Sequence, residues 1–205
     1  MYIRDVDSQN EAPITDRKRA LLDSTVRVIA RKGVRGLRVE EVAKDAGVSV
    51  ALIYHYFGDR STLLLSALLH IGQRAHDYTR PNVDGDARTA LLATVLGEIQ
   101  DDEEIRENSA AWGELRDAAI FDESLRPTLE AQTREWVDDL AGIVRRGQAE
   151  GSLAAALDAA AIGQRLSALV EGMSSRWLAG LVSTAEAHAL LAGAVERELP
   201  DRQSR

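Results

Sequence analysis

The chain has 205 residues, 45% hydrophobic and 28% charged, enough to bury one or two sizeable cores. It contains no cysteine, which excludes disulfide frameworks, thiolate metal sites and cysteine nucleophiles, and no apolar run is long enough to span a bilayer. The net charge of −8 is unevenly spread: residues 1–76 carry 12 Lys+Arg against 9 Asp+Glu, and residues 77–205 carry 13 against 24, so only the N-terminal end suits a polyanionic partner.

Residues 1–14 are polar and aperiodic and read as a flexible arm without a signal peptide, which predicts a cytoplasmic protein. Thr15 is positioned to cap a first helix that runs to Lys32 and stops at Gly33, with Leu22, Val26, Ile29 and Ala30 as its inner stripe. Arg17, Lys18 and Arg19 crowd its first turn against the helix dipole, which fits either a solvated face or a nearby phosphate. A short helix from Val39 follows, with Val42, Ala43 and Ala46 on one face, and Gly47 stops it. Arg38 stands where a capping hydroxyl is expected, so the cap is lost and a charged contact to phosphate becomes available. Ser49 caps the next helix, Val50–Phe57, which turns Ile53 and Phe57 inward. Two short helices joined by a tight glycine turn form a helix-turn-helix, whose second helix fits the DNA major groove.

Asp59 is placed to cap a longer helix from Arg60 to about Tyr78, with Leu64, Ala67, Leu68 and Ile71 on one side. The run 81–85 breaks it and reads as a linker. Beyond it every segment is helical. Asp86 caps a helix carrying Leu91, Leu92, Val95, Leu96 and Ile99, and the acidic run Asp101–Glu104 opens another to about Phe121. A long helix spans Ser124 to about Glu150, with Pro127 near its first turn and Gly151 at its end. Asp158 caps a helix to Ala179, and Thr184 is read as the cap of the last, which ends at Pro200. The expected fold is all-α with about nine helices. A domain of residues 15–80 precedes a larger one of 84–199, and 200–205 form a tail.

The run Val39–Leu64 closely resembles the N-terminal signature of the TetR family of transcriptional regulators, in Val42-Ala43, Ala46-Gly47-Val48-Ser49, Tyr54-His55-Tyr56-Phe57, and Arg60 with Leu63. Gly151 and the run Leu169-Val170-Glu171-Gly172 loosely resemble the subgroup that includes the betaine-pathway repressors, and no ligand is carried over from that. The resemblance implies a homodimer that binds palindromic operator DNA, pairs its last two helices with a second copy, and is released by a small-molecule effector. Matched residue by residue, it places Ser49, Val50, Ala51, Leu52, Tyr54, His55 and Tyr56 at the groove and Arg60 on phosphate, with Arg38 beside them. Val50 and Leu52 replace polar or basic residues, so hydrogen-bond readout is thin and DNA shape carries more of the specificity.

Nothing in the chain assembles a reactive centre. There is no G-x-S-x-G elbow or phosphate-binding glycine loop, and His55, His70, His76 and His188 form no metal-ligand spacing, so no enzyme activity, cofactor or metal is expected. Trp112, Trp136 and Trp177 all lie in the C-terminal region, as core packing or as walls of a pocket for a flat or cationic ligand. An acidic helical interaction module without DNA binding, or an enzyme on a helical scaffold, are the alternatives, and a salt-sensitive DNA shift separates the first of them from a regulator.

Overall fold

The computed structural model describes residues 8–79 and 85–200. Residues 1–7 of the expected arm, most of the expected linker and residues 201–205 lie outside that range. The described residues form nine α-helices and one 3-10 turn, with no strand among them. None of these helices is long and apolar enough to cross a membrane.

Helix α1, Ser8–Gly36, starts ahead of the Thr15 cap read from the sequence, and its helical backbone breaks at Gly33, where φ is 71°. Gly33 is held by its neighbour as well as by its backbone, because a Cβ there would meet Glu114 Oε2 at 2.6 Å. Helix α2, Val39–Ala46, begins at Arg38 without a side-chain cap and ends at Gly47 in the left-handed region. Helix α3, Val50–Phe57, is capped by Ser49, whose hydroxyl accepts from the Leu52 N–H. Asp59 accepts from the Thr62 N–H and so caps α4, Arg60–Thr79.

Helix α5, Ala87–Gly97, is capped by Asp86 as its spacing predicts, and α6, Glu103–Ala118, takes its cap from Asp102 within the acidic run that opens it. The segment read as one helix from Ser124 is divided: Glu123–Leu125 is a 3-10 turn capped by Asp122, and α7 is Arg126–Ala149 with Pro127 in its first turn. Asp158 caps α8, Ala159–Leu178. Helix α9, Thr184–Glu198, is capped by Ser183, one residue before the expected Thr184. Ser183 and Glu186 form a reciprocal capping box, which satisfies two N–H groups rather than one.

Two apolar cores result. The first gathers Ile29, Val42, Ile53, Phe57, Leu64 and Leu68 from α1–α4, and it also draws in Ala111, Leu115, Ala119 and Leu125 from beyond the expected linker. The second lies among α5, α7, α8 and α9, around Leu91, Leu140, Leu166, Trp177 and Leu191. Helices α7 and α8 approach closely at Gly163, where a Cβ would sit 2.6 Å from the Val137 carbonyl oxygen.

Candidate DNA-recognition helix and effector cavity

Ile53 and Phe57 seat α3 in the first core, which leaves Ala51, Tyr54 and His55 exposed on its outer side. Tyr56 meets the His55 ring edge-on at 5.6 Å between centroids. Tyr56 and Val50 also pack partly against the core, so the outward face is narrower than the sequence match implies. Arg38 is exposed at the start of α2. Lys18 holds its ammonium 5.7 Å from the Phe57 ring centroid, which brings the basic first part of α1 to the end of α3.

The helix-turn-helix is braced by charge. Arg27 Nε and Nη2 reach Asp45 Oδ2 at 2.9 and 2.7 Å, and Arg31 Nη2 reaches Asp45 Oδ1 at 2.6 Å. Burial works against ionisation of Asp45, but hydrogen bonds from Arg31 and Arg27 outweigh it and hold the carboxyl below its ordinary value. Lys32 pairs with Glu41. Arg60 faces inward rather than out: Nη2 donates to the Val34 carbonyl at 2.5 Å and Nε to the Leu37 carbonyl at 3.4 Å. Its first task is to hold the α1–α2 connection.

Between α4, α6, α7 and α8 lies a cavity of about 460 Å³. Trp112 and Trp136 line it and Trp177 does not. Trp177 is 3% exposed in the second core, where its indole N–H donates to Thr184 Oγ1 at 2.9 Å and the Arg106 guanidinium stacks 4.2 Å from its ring centroid. Four carboxylates line the cavity, Glu98, Glu135, Asp139 and Glu171, and no Lys or Arg does so among the described residues. His76 pairs with Asp139 at 3.2 Å. Arg116, outside the lining, approaches Glu171 at 3.7 Å.

Glu98 receives the Tyr78 hydroxyl at 3.3 Å. Burial pushes its carboxyl up to about 7; the Tyr78 hydrogen bond opposes this and the Glu171 charge adds to it. The Tyr78 hydroxyl is itself raised by burial and by the charge of Glu98. Asn108 Nδ2 donates to the Ile71 carbonyl at 3.1 Å and to Tyr78 Oη at 3.2 Å. Sequence reasoning missed Glu98, Tyr78 and Asn108, which owe their roles to burial by residues distant in the chain. Among the described residues no group of three His, Asp or Glu side chains is arranged to hold a metal ion.

A helix-turn-helix on a helical body that encloses a ligand-sized cavity defines a class of effector-controlled DNA-binding proteins. Residues 21–67 match the family model for bacterial regulatory proteins of the tetR family, and residues 87–200 match that for the C-terminal region of BetI-type transcriptional repressors. The chain belongs to the TetR family of bacterial transcriptional regulators. It is a ligand-responsive DNA-binding regulator of the repressor type.

The chain is 30% identical to the HTH-type transcriptional regulator BetI of Agrobacterium fabrum, over 78% of this chain and 76% of that one. The BetI of Rhizobium meliloti is 28% identical over 78% and 77%. Among solved structures, a TetR-family regulator from Rhodococcus sp. superposes with a TM-score of 0.85 and 42% identity, covering 90% of this chain and 99% of that one. A transcriptional regulator from Saccharomonospora viridis in complex with choline gives a TM-score of 0.79 and 25% identity, covering 92% and 100%.

Proposed function

We propose that the protein acts as a cytoplasmic, non-enzymatic homodimer that represses transcription from a palindromic operator and is released by an organic cation. The observation that carries the effector class is the cavity wall, where Trp112, Trp136 and Tyr78 stand among four carboxylates with no Lys or Arg among the described lining residues, His76 facing only Asp139 of the four and Arg116 reaching only Glu171 of them from outside. Aromatic faces and carboxylates attract the same ligand, a cation whose charge is spread over apolar groups. The choline held by the Saccharomonospora viridis relative agrees with that chemistry.

The DNA-binding part is residues 15–80, and effector binding and pairing fall to residues 84–199. Ser49 positions α3, and Ala51, Leu52, Tyr54 and His55 read the groove, with Val50 and Tyr56 at its margins. Arg38 and the basic start of α1 meet phosphate. Arg60 holds the α1–α2 connection and offers its remaining donor capacity to the backbone of the DNA. Pairing through α8 and α9 is supported by small exposed residues at helical spacing, Ala168, Gly172 and Ser175 on α8 with Ala179 just past its end, and by Leu190, 50% exposed on α9. A Cβ at Gly172 would meet nothing in the protomer, which leaves room for a second copy to approach. The two α3 helices of such a dimer reach successive major grooves when they stand about 34–36 Å apart, and an effector that prefers another separation releases DNA.

Calorimetric titration with choline tests the effector class. Saturable binding that Trp136→Ala weakens by about tenfold is expected, from the size of a desolvated cation–π contact. Binding untouched by both Trp136→Ala and Trp112→Ala would place the cation elsewhere.

A further inference from the structure

Asn108 stands where the cavity meets the helix that leads to the DNA-binding domain. It lies on α6 and is 1% exposed. Both hydrogen bonds from its Nδ2 go to α4, to the Ile71 carbonyl at 3.1 Å and the Tyr78 hydroxyl at 3.2 Å. Its Oδ1 is buried without a hydrogen-bond partner, and the residue lines the cavity. A buried amide oxygen with no partner is a gap that a donor on a ligand fills. Donor and acceptor belong to one planar amide, so a bond made at Oδ1 polarises and re-aims the N–H groups that hold α4. The packing around it is tight, so a shift at Asn108 is passed on to α4. Gly72 lies one residue beyond Ile71 and also lines the cavity, and a Cβ there would overlap Gln132 Oε1 at 1.7 Å. At its other end α4 carries Arg60, which holds the Val34 and Leu37 carbonyls of the α1–α2 connection.

We propose that Asn108 is the positioning residue that passes effector occupancy to α4, and that it does so only for a cation carrying an O–H or N–H donor. The proposal rests on the cation reading of the cavity. Cation–aromatic contact with Trp112 and Trp136 then provides affinity, while the donor bond to Asn108 Oδ1 provides release. Binding and release become separable properties, because an effector shifts the DNA-binding equilibrium only by its differential affinity for the two states.

The test compares two cations on the whole protein: choline, which has a hydroxyl, and tetramethylammonium, which has no donor. Binding is read by calorimetry and by intrinsic tryptophan emission, and operator affinity by anisotropy of a labelled duplex selected from a random library. Both cations should bind, and choline at saturation should weaken operator affinity by about tenfold or more while tetramethylammonium changes it by under about twofold. Asn108→Ala should still bind choline but lose the release, and Asn108→Asp, which keeps an acceptor and loses the donor to Ile71, should bind choline at least as well and also fail to release. The wild-type comparison needs no substitution to fold, so it decides even where a variant is unstable. Equal release by both saturating cations, or full release of Asn108→Ala by choline, overturns the relay and leaves the cation reading standing. Failure of both cations to bind overturns the cation reading and the relay with it.

Discussion

Raising the pH from about 6 to about 8 should strengthen cation binding roughly tenfold, because Glu98 changes charge within that range. Its carboxyl is pushed up to about 7, chiefly by burial, with Tyr78 donating to it and Glu171 repelling its charge. Roughly a tenth of it is ionised at the lower pH and roughly nine-tenths at the higher, and a cation that prefers ionised Glu98 gains affinity in proportion. Calorimetry in buffers of different ionisation enthalpy should show nearly one proton released per cation bound at about pH 6 and very little at about pH 8. Glu98→Gln should remove most of the slope. The stability of the effector-free protein runs the other way. The folded state raises this carboxyl from its ordinary 4.5 to about 7, so the native protein holds the proton longer than the unfolded chain. Stability is therefore highest below the unfolded value and falls as pH rises between the two, by roughly 3 kcal/mol at most. A flat binding profile from about pH 6 to 8, or one unchanged by Glu98→Gln, would refute the placement of Glu98 as the cation's charge partner.

Three further outcomes follow from the geometry. Arg60→Ala should free the Val34 and Leu37 carbonyls and destabilise the fold by about 1–3 kcal/mol in urea unfolding, weakening operator and random DNA alike, whereas Tyr54→Ala or His55→Ala should leave stability intact and lower the preference for operator. Equal loss on both DNAs for all three variants would remove the distinction between bracing and readout. Gly163→Ala should cost about 1–3 kcal/mol, since its Cβ would press on the Val137 carbonyl and drive α7 from α8; an unchanged urea midpoint would contradict that packing. Gly172→Glu should fold normally but sediment as a monomer and lose operator binding, and a dimer that persists in sedimentation would move the interface away from α8.

Local chemistry was legible in the chain because it is written within a few residues. Ser49, Asp59, Asp86 and Asp158 each cap the helix that their spacing indicates, and the uncapped start at Arg38 was equally readable. Ser183 was misassigned in favour of Thr184, although the pair Ser183 and Glu186, three residues apart, is the sequence mark of a capping box. The cavity was only half legible. Three tryptophans were candidates, and only the packing of the helices decides that Trp112 on α6 and Trp136 on α7 line the cavity while Trp177 is buried in the second core. Glu98 and Asn108 look like ordinary polar helix residues in sequence, because the burial that raises the Glu98 carboxyl and leaves the Asn108 amide oxygen unpaired arises only when the helices pack together. Arg60 shows the same limit. The family match points it at phosphate, while its partners 23 and 26 residues upstream hold it inward.

The most direct measurement is the reciprocity between cation and operator. Operator affinity is measured with and without saturating choline, and choline affinity with and without saturating operator. Linkage requires the two ratios to be equal, and a coupling of about tenfold or more is expected. Choline that binds with the same affinity to free and operator-bound protein would contradict the claim that occupancy of this cavity releases DNA.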